Sequence, residues 1–150
     1  MSDLVVIPLA ATHEADWRRL FHGYRTFYKW PVDEAVVDRV WTWLHDPAHP
    51  LEGLVAVSGG RVVGLAHFRG EPSPSRGVEV GFLNDLFVDP DTRGARIGEA
   101  MLDELRRIAS ERGWPIVRWI TADDNYRART LYDRVSKKTA WNLYEMAAER

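Results

Sequence analysis

The sequence has no cysteine among its 150 residues, which excludes disulfides, thiolate metal sites and a covalent cysteine intermediate. It also lacks a strong charge excess, since its formal net charge is −2 and its sequence pI is about 6.2. A nucleic-acid-binding role therefore has no electrostatic support. The apolar run over residues 5–9 is too short for a signal-peptide core or a membrane span. We therefore expect small or cationic partners, and neither nucleic acid nor a membrane. The absence of cysteine is compatible with a reducing cytoplasm.

Nucleotide and metal signatures are missing as well. Neither a Walker A motif nor Gly-x-Gly-x-x-Gly occurs in the sequence, so nucleotide hydrolysis and dinucleotide binding lack their usual motifs. His45 and His49 have the spacing of a helical metal pair, but Pro47 between them breaks a helix. We therefore expect no metal.

The order of apolar patterns predicts one α/β domain over residues 1–150, large enough to bury roughly two thirds of its unfolded surface. The predicted order β-α-α-β-β-β-α-β-α-β is typical of a central, twisted, mixed sheet with helices on both faces. Residues 78–121 are expected to form a parallel crossover. Glycine, proline and serine predict a flexible loop over residues 70–77. Strands are predicted over residues 5–9, 53–58, 61–69, 78–88, 115–121 and 141–146, and helices over 13–29, 33–44, 93–113 and 125–135.

Residues 84–101 combine a strand, a turn and a glycine-bearing helix start, an order of parts suited to holding a phosphate. The first N–H groups of a helix have no intrahelical partners, so they and the helix dipole can hold an anion. Glycine allows close backbone approach, and arginine adds charge. The predicted anion-binding residues are Arg93, Gly94, Ala95, Arg96, Ile97, Gly98 and Glu99.

The strand before this segment and the pattern Asn125-x-x-Ala128-x-x-Leu131-Tyr132 after it complete a set of three ordered motifs. With them, the chain resembles the GNAT superfamily of acetyl-CoA-dependent N-acetyltransferases. The resemblance covers most of the chain from Leu54 onward. Residues 83–88 and 131–135 resemble the histone-type and polyamine-type branch. The resemblance implies the GNAT fold, acetyl-CoA as co-substrate and an amine acceptor, which could be a polyamine, an amino acid or a protein lysine. The alternative is a noncatalytic acyl-CoA-binding or interaction module with the same fold.

The same resemblance implies roles for individual residues. Leu86, Phe87 and Val88 would offer backbone groups to the pantetheine arm and to the carbonyl oxygen. Tyr132 would be the acid, because a phenol with a pKa of about 10 can protonate a thiolate whose pKa is roughly 8.5. Asn125 would contact the cofactor. A core tyrosine and a simple helix N-cap are the structural alternatives for these two residues.

Two positions depart from the family pattern. Arg96 stands where relatives usually carry glycine, and we expect a helical backbone with negative φ there, because left-handed backbone is uncommon for arginine. Asn84 stands where some relatives carry glutamate, and an amide cannot accept the proton of an alkylammonium whose pKa is about 10.4. Asp85 is a candidate base if a bulge re-aims it, and the alternative is a buried structural carboxylate. Glu79, His67 and a water chain are the other candidates.

Two further expectations concern mechanism and assembly. Without cysteine, the commonest route to an acetyl-enzyme is closed, so direct transfer in a ternary complex is expected. The last predicted strand is short, and its edge could pair with another subunit, which makes a homodimer an expectation.

Overall fold

The computed structural model describes residues 3–92 and 96–149, and the chain divides into two units, residues 1–120 and 121–150. The first unit holds a five-stranded sheet in the order β1-β2-β3-β4-β5. Strands β1 to β4 pair antiparallel, and β5 joins β4 in parallel through α3, so the predicted mixed sheet is confirmed. None of the described helices is long and apolar enough to cross a membrane. The elements are β1 (Val5–Pro8), α1 (Glu14–Phe27), α2 (Glu34–His45), β2 (Glu52–Ser58), β3 (Arg61–Ser73), β4 (Val78–Val88), α3 (Ile97–Arg112) and β5 (Val117–Arg118) in the first unit, and α4 (Tyr126–Val135) in the second.

Local signals in the sequence account for several element ends. The Asp33 carboxylate accepts hydrogen bonds from the amides of Ala35 and Val36 at the start of α2, which satisfies N–H groups that have no partner inside the helix. Gly59 and Gly60 have φ of 58° and 74° and join β2 to β3, as expected for a two-residue hairpin turn. These predicted boundaries are confirmed.

Helices cover both faces of the sheet, as predicted. Helices α1 and α2 bury one face around Trp17, whose side chain is fully buried. On the other face, a Cβ added at Gly64 would lie 2.9 Å from Met101 Sδ of α3, so glycine is needed there for close approach. Burying each large apolar side chain contributes about 1.5–3 kcal/mol. The buried cluster beneath α1 and α2 is Trp17, Leu20, Phe21, Val37, Val40, Val55, Val62, Leu65 and Phe87.

The predicted loop over residues 70–77 is wrong in its first half, because β3 continues to Ser73. Gly70 and Gly81 pair across β3 and β4, and both face the Trp114 indole. A Cβ at Gly70 would lie 2.7 Å from Trp114 Cζ2, and one at Gly81 would lie 2.8 Å from Trp114 Cε3. These glycines make room for a buried ring rather than forming a turn.

The predicted strands near the C-terminus are wrong in extent or absent. Strand β5 is limited to Val117–Arg118 instead of residues 115–121. Residues 141–149 form neither strand nor helix, and Trp141 is 89% exposed. Their aromatic and apolar content has β-propensity, but that propensity reflects packing on a pleated, half-buried surface. In the described ranges, nothing pairs with this segment as a strand.

Candidate active site

A β-bulge in β4 turns Asp85 toward the sheet face covered by α1. Phe68 pairs with Leu83, and His67 pairs with Asp85, so Asn84 is the extra residue on β4. In a regular strand Asp85 would share the face of Leu83. The bulge instead places Asp85 beside His67. This is the re-aiming that Asp85 needs to be a candidate base.

Side chains from β3 and α1 hold the Asp85 carboxylate. His67 Nδ1 lies 2.8 Å from Asp85 Oδ2, and Trp17 Nε1 lies 3.0 Å from His67 Nε2. An indole N–H can only donate, so Nε2 accepts and the Nδ1–H donates to Asp85. Burial raises the pKa of Asp85, but hydrogen bonds from His67 and Tyr24 outweigh it and hold the pKa below its usual range. Asp85 is therefore a well-held anion at neutral pH.

Two other candidate bases are engaged elsewhere. His67 is 1% exposed, and both of its ring nitrogens have partners. Glu79 Oε1 accepts a hydrogen bond from Trp114 Nε1 at 3.3 Å, on the face opposite Asp85. Of the three candidate side chains, the geometry therefore leaves Asp85 for the proton of an amine, and a water chain stays a prediction.

Strand β4 continues past its pairing with β5. The two strands pair only at Gly81 and Phe82 of β4, whereas β4 ends at Val88. Residues 83–88 lie beyond this described pairing and, apart from the bulged Asn84, pair with β3 on the other side. The stretch contains Leu86, Phe87 and Val88. A strand edge of this kind can present backbone groups to an extended ligand.

Helix α3 begins directly after a left-handed residue. Arg96 has φ of 58° and ψ of 30°, so the expectation of negative φ there is wrong. Its carbonyl accepts the amide of Ala100, so Arg96 is the N-cap. A left-handed conformation costs an L-residue about 1–2 kcal/mol. Arg96 Nη1 lies 3.2 Å from Glu99 Oε2. Glu99 is in the first turn of α3, where the helix dipole favours a negative charge.

The remaining residues of the predicted anion site differ in how they are placed. Ile97 is buried in the core and can offer only its backbone to a ligand. Gly98 follows in the first turn of α3. Arg93, Gly94 and Ala95 lie outside the described residues.

A charged cluster that the sequence did not reveal lies on the α1 face of the sheet. Arg69 Nη1 donates to Asn84 Oδ1 at 2.7 Å, and Arg69 Nη2 to Glu71 Oε2 at 3.2 Å. The Arg69 guanidinium lies 4.5 Å from the centroid of the Phe82 ring. Arg118 Nη2 donates to Glu71 Oε1 at 3.1 Å. We call these five residues the Arg69 cluster.

Strand register brings the Arg69 cluster together. Ser73 pairs with Val78 across the turn, and counting back pairs Arg69 with Phe82. Phe82 pairs in turn with Arg118 of β5. A hairpin predicted over residues 70–81 would have placed Arg69 opposite Phe82. The loop predicted over residues 70–77 concealed this pairing.

Comparison with known proteins identifies the family. Residues 17–136 match the sequence model described as the Acetyltransferase (GNAT) family. The chain belongs to this family. The D-amino-acid N-acetyltransferase HPA3 of Saccharomyces cerevisiae is 30% identical over 144 residues, which cover 95% of this chain and 89% of that protein. The chain is thus a GNAT-type acetyltransferase, as the sequence resemblance implied.

Solved structures share the GNAT fold. A ribosomal-protein-alanine N-acetyltransferase from Brucella melitensis biovar Abortus 2308 has a TM-score of 0.81 at 24% identity, covering 96% of this chain and 98% of that chain. The aminoglycoside N-acetyltransferase AAC(6')-Iy, in complex with CoA, has a TM-score of 0.81 at 18% identity, covering 99% of this chain and 97% of that chain. These likenesses confirm the predicted fold.

Two GNAT-motif residues lie in the second unit. Asn125 caps α4, because its side chain accepts a hydrogen bond from the amide of Ala128 at 3.3 Å, so the N-cap interpretation is confirmed. Tyr132 lies on α4 and is partly buried; its carbonyl accepts the amide of Ser136. Cofactor contact by Asn125, proton donation by Tyr132 and membership of the histone/polyamine-type branch stay predictions.

Proposed function

We propose that the protein transfers acetyl from acetyl-CoA to the primary amine of an acceptor, by direct attack in a ternary complex. The observation that carries the proposal is the bulge at Asn84. It turns an anionic Asp85 toward the α1 face, within the stretch of β4 that extends beyond β5. An ammonium acceptor and a thioester held along that stretch would meet at this point.

The acetyl-CoA half of the proposal rests on two described features. Helix α3, from Ile97–Arg112, directs the amides of its first turn at any anion bound before it. The edge of β4 over residues 86–88 offers backbone groups to a pantetheine arm and an amide to the thioester oxygen. Donors directed at a developing oxyanion typically contribute about 10²–10³ in kcat.

A thermal shift with acetyl-CoA tests this half. A ligand present at about 100 times its Kd adds about 2.7 kcal/mol to the free energy of unfolding. CoA and free adenine nucleotide serve as comparison ligands. No shift with acetyl-CoA or CoA would refute both the enzyme and the noncatalytic acyl-CoA-binding module.

For the amine, we propose that Asp85 attracts and orients the ammonium while water takes the proton. Its carboxylate is held by Tyr24 and His67 and has a lowered pKa. It is therefore a weak base, but its negative charge can bind a cation. This role keeps Asp85 in the catalytic site and assigns it attraction instead of proton uptake.

For the thiolate, we propose Tyr132 as the general acid. Tyr132→Phe should lower kcat by about 10²–10⁴ with little change in acetyl-CoA affinity, since it removes only the proton donor. Tyr126→Phe is the matched control, because Tyr126 begins the same helix and is 71% exposed. Equal loss in the two variants would rule out a specific role for Tyr132.

The acceptor is proposed as a small amine, with amino acids, polyamines and lysine peptides as the panel. A relative named as a D-amino-acid N-acetyltransferase supports testing amino acids first. Thiol release from acetyl-CoA in the presence of each amine reports turnover. Acetyl-CoA binding without thiol release for any amine would favour the noncatalytic module.

We also propose a homodimer. In residues 141–146, Trp141, Leu143, Tyr144 and Met146 are all at least 65% exposed. An exposed, apolar segment of this composition can add as a strand to the sheet edge of a second copy.

A further inference from the structure

We propose that the Arg69 cluster binds the carboxylate of the acceptor, so that the acceptor is a free amino acid whose ammonium faces Asp85. This inference rests on the proposed function and assigns the substrate class and the residues that select it.

The cluster has the charge and the donors for this task. It contains two guanidinium groups and one carboxylate, so it is net positive. A guanidinium offers five N–H donors, and the described contacts of Arg69 use two of its nitrogens. The side chains of Arg69 and Arg118 are 29% and 46% exposed, so donors remain accessible. Arginine suits a carboxylate because its planar fork binds two oxygens at once.

Arg69 is held ready by its neighbours. Its guanidinium stacks on Phe82 and donates to Asn84 and Glu71. A side chain that is already ordered loses less conformational entropy when it binds a ligand. Asn84 contributes as a positioning residue, because an amide oxygen accepts from Arg69 without neutralising its charge. A glutamate there would add a second anion to the cluster.

The two charges lie on the same face of the sheet. Asp85 pairs with His67, and Arg69 is two residues further along β3, so the two strand positions are roughly 7 Å apart along the sheet. An α-amino acid carries its ammonium and its carboxylate on one carbon, so it can offer a cation to Asp85 and an anion to Arg69 at the same time. A polyamine would instead place a cation against Arg69, so the cluster disfavours it.

Three matched acceptors test the inference: an amino acid, its carboxamide and the amine that lacks the carboxyl group. The wild type should have its highest kcat/KM for the amino acid. Arg69→Gln should lower the ratio of kcat/KM for amino acid over carboxamide by about 10- to 100-fold, and Arg69→Lys should lower it less. Glu71→Gln should raise the ratio, because glutamine keeps an oxygen that can accept from Arg69 and removes the competing negative charge. Arg106→Gln, an exposed position on α3, should leave the ratio unchanged.

The outcomes separate this inference from the function on which it rests. Equal wild-type turnover of amino acid and carboxamide would overturn this inference alone. So would an Arg69→Gln variant that lowers kcat/KM equally for all three acceptors, which is the result expected of a purely structural arginine. The absence of thiol release with every amine tested would overturn the proposed function and the inference together. A lower ratio in Glu71→Gln would also overturn the carboxylate assignment.

Discussion

The proton of the acceptor should leave to solvent, and the pH dependence of kcat/KM tests this. An alkylammonium has a pKa of about 10.4 and an ordinary Asp carboxyl has a pKa of about 3.9, so transfer between them costs about 9 kcal/mol. Hydrogen bonds from His67 and Tyr24 lower the pKa of Asp85, which increases that cost. Release of the same proton to water at pH 7 costs only about 5 kcal/mol.

If the free amine is the reacting form, kcat/KM should rise about tenfold per pH unit from about pH 6 until the pH nears the pKa of the amine. The assay is the initial rate of thiol release at subsaturating acceptor and saturating acetyl-CoA. Asp85→Asn should keep this slope and lower kcat/KM by about tenfold, mainly through KM, because one charge-assisted contact to the ammonium is lost. The control Asp103→Asn changes an exposed carboxylate on α3 and should match the wild type.

A flat profile would refute this reasoning. A group with a lowered pKa that removes the proton within the complex is already ionised throughout this range, so it would give a constant kcat/KM. A flat profile combined with a fall in kcat of about 10²–10⁴ in Asp85→Asn would make Asp85 the general base.

Three further predictions concern stability and assembly. Arg96→Gly should exceed Arg96→Ala in free energy of unfolding by about 1 kcal/mol, because both lose the guanidinium but only alanine keeps a Cβ in the left-handed conformation; equal urea midpoints would contradict this. Asp89 is buried against Arg19 and its pKa is lowered, since hydrogen bonds from the Asp91 amide and Arg19 outweigh the effect of burial. Asp89→Asn should therefore cost about 1.5–3 kcal/mol at neutral pH, a difference that persists down to about pH 3.9 and is lost as the pH falls through the folded pKa; a difference that persists at lower pH would contradict the linkage. Light scattering should give a dimer mass, and serine at Trp141 and Tyr144 should shift it toward a monomer, whereas a wild-type monomer would refute the homodimer.

The sequence predicted features that depend on near neighbours. The Asp33 cap, the Gly59-Gly60 turn and the end of α3 at Gly113 involve residues close in the chain, and the structure has all three. Family membership was also visible, because its motifs are local and ordered.

Features that depend on distant partners were missed. Arg96 is left-handed at the N-cap of α3, against the backbone preference of the residue itself. Gly70 indicated a loop because its role depends on Trp114, which is distant in sequence. The Arg69 cluster requires the register of three strands, so composition and spacing along the chain could not reveal it.

Strands β3 and β4 pack the core on one face, where Gly70 and Gly81 contact Trp114. Their opposite face has a different role. One residue along from each glycine, Arg69 and Phe82 point to the opposite face, where the acceptor is proposed to bind. A directed-evolution library can therefore diversify the acceptor-facing positions while Trp114 and its glycines stay constant. One face of these strands packs the core, and the other face carries the residues proposed to bind the acceptor. A family with many acceptors can therefore change specificity on one face without changing its core.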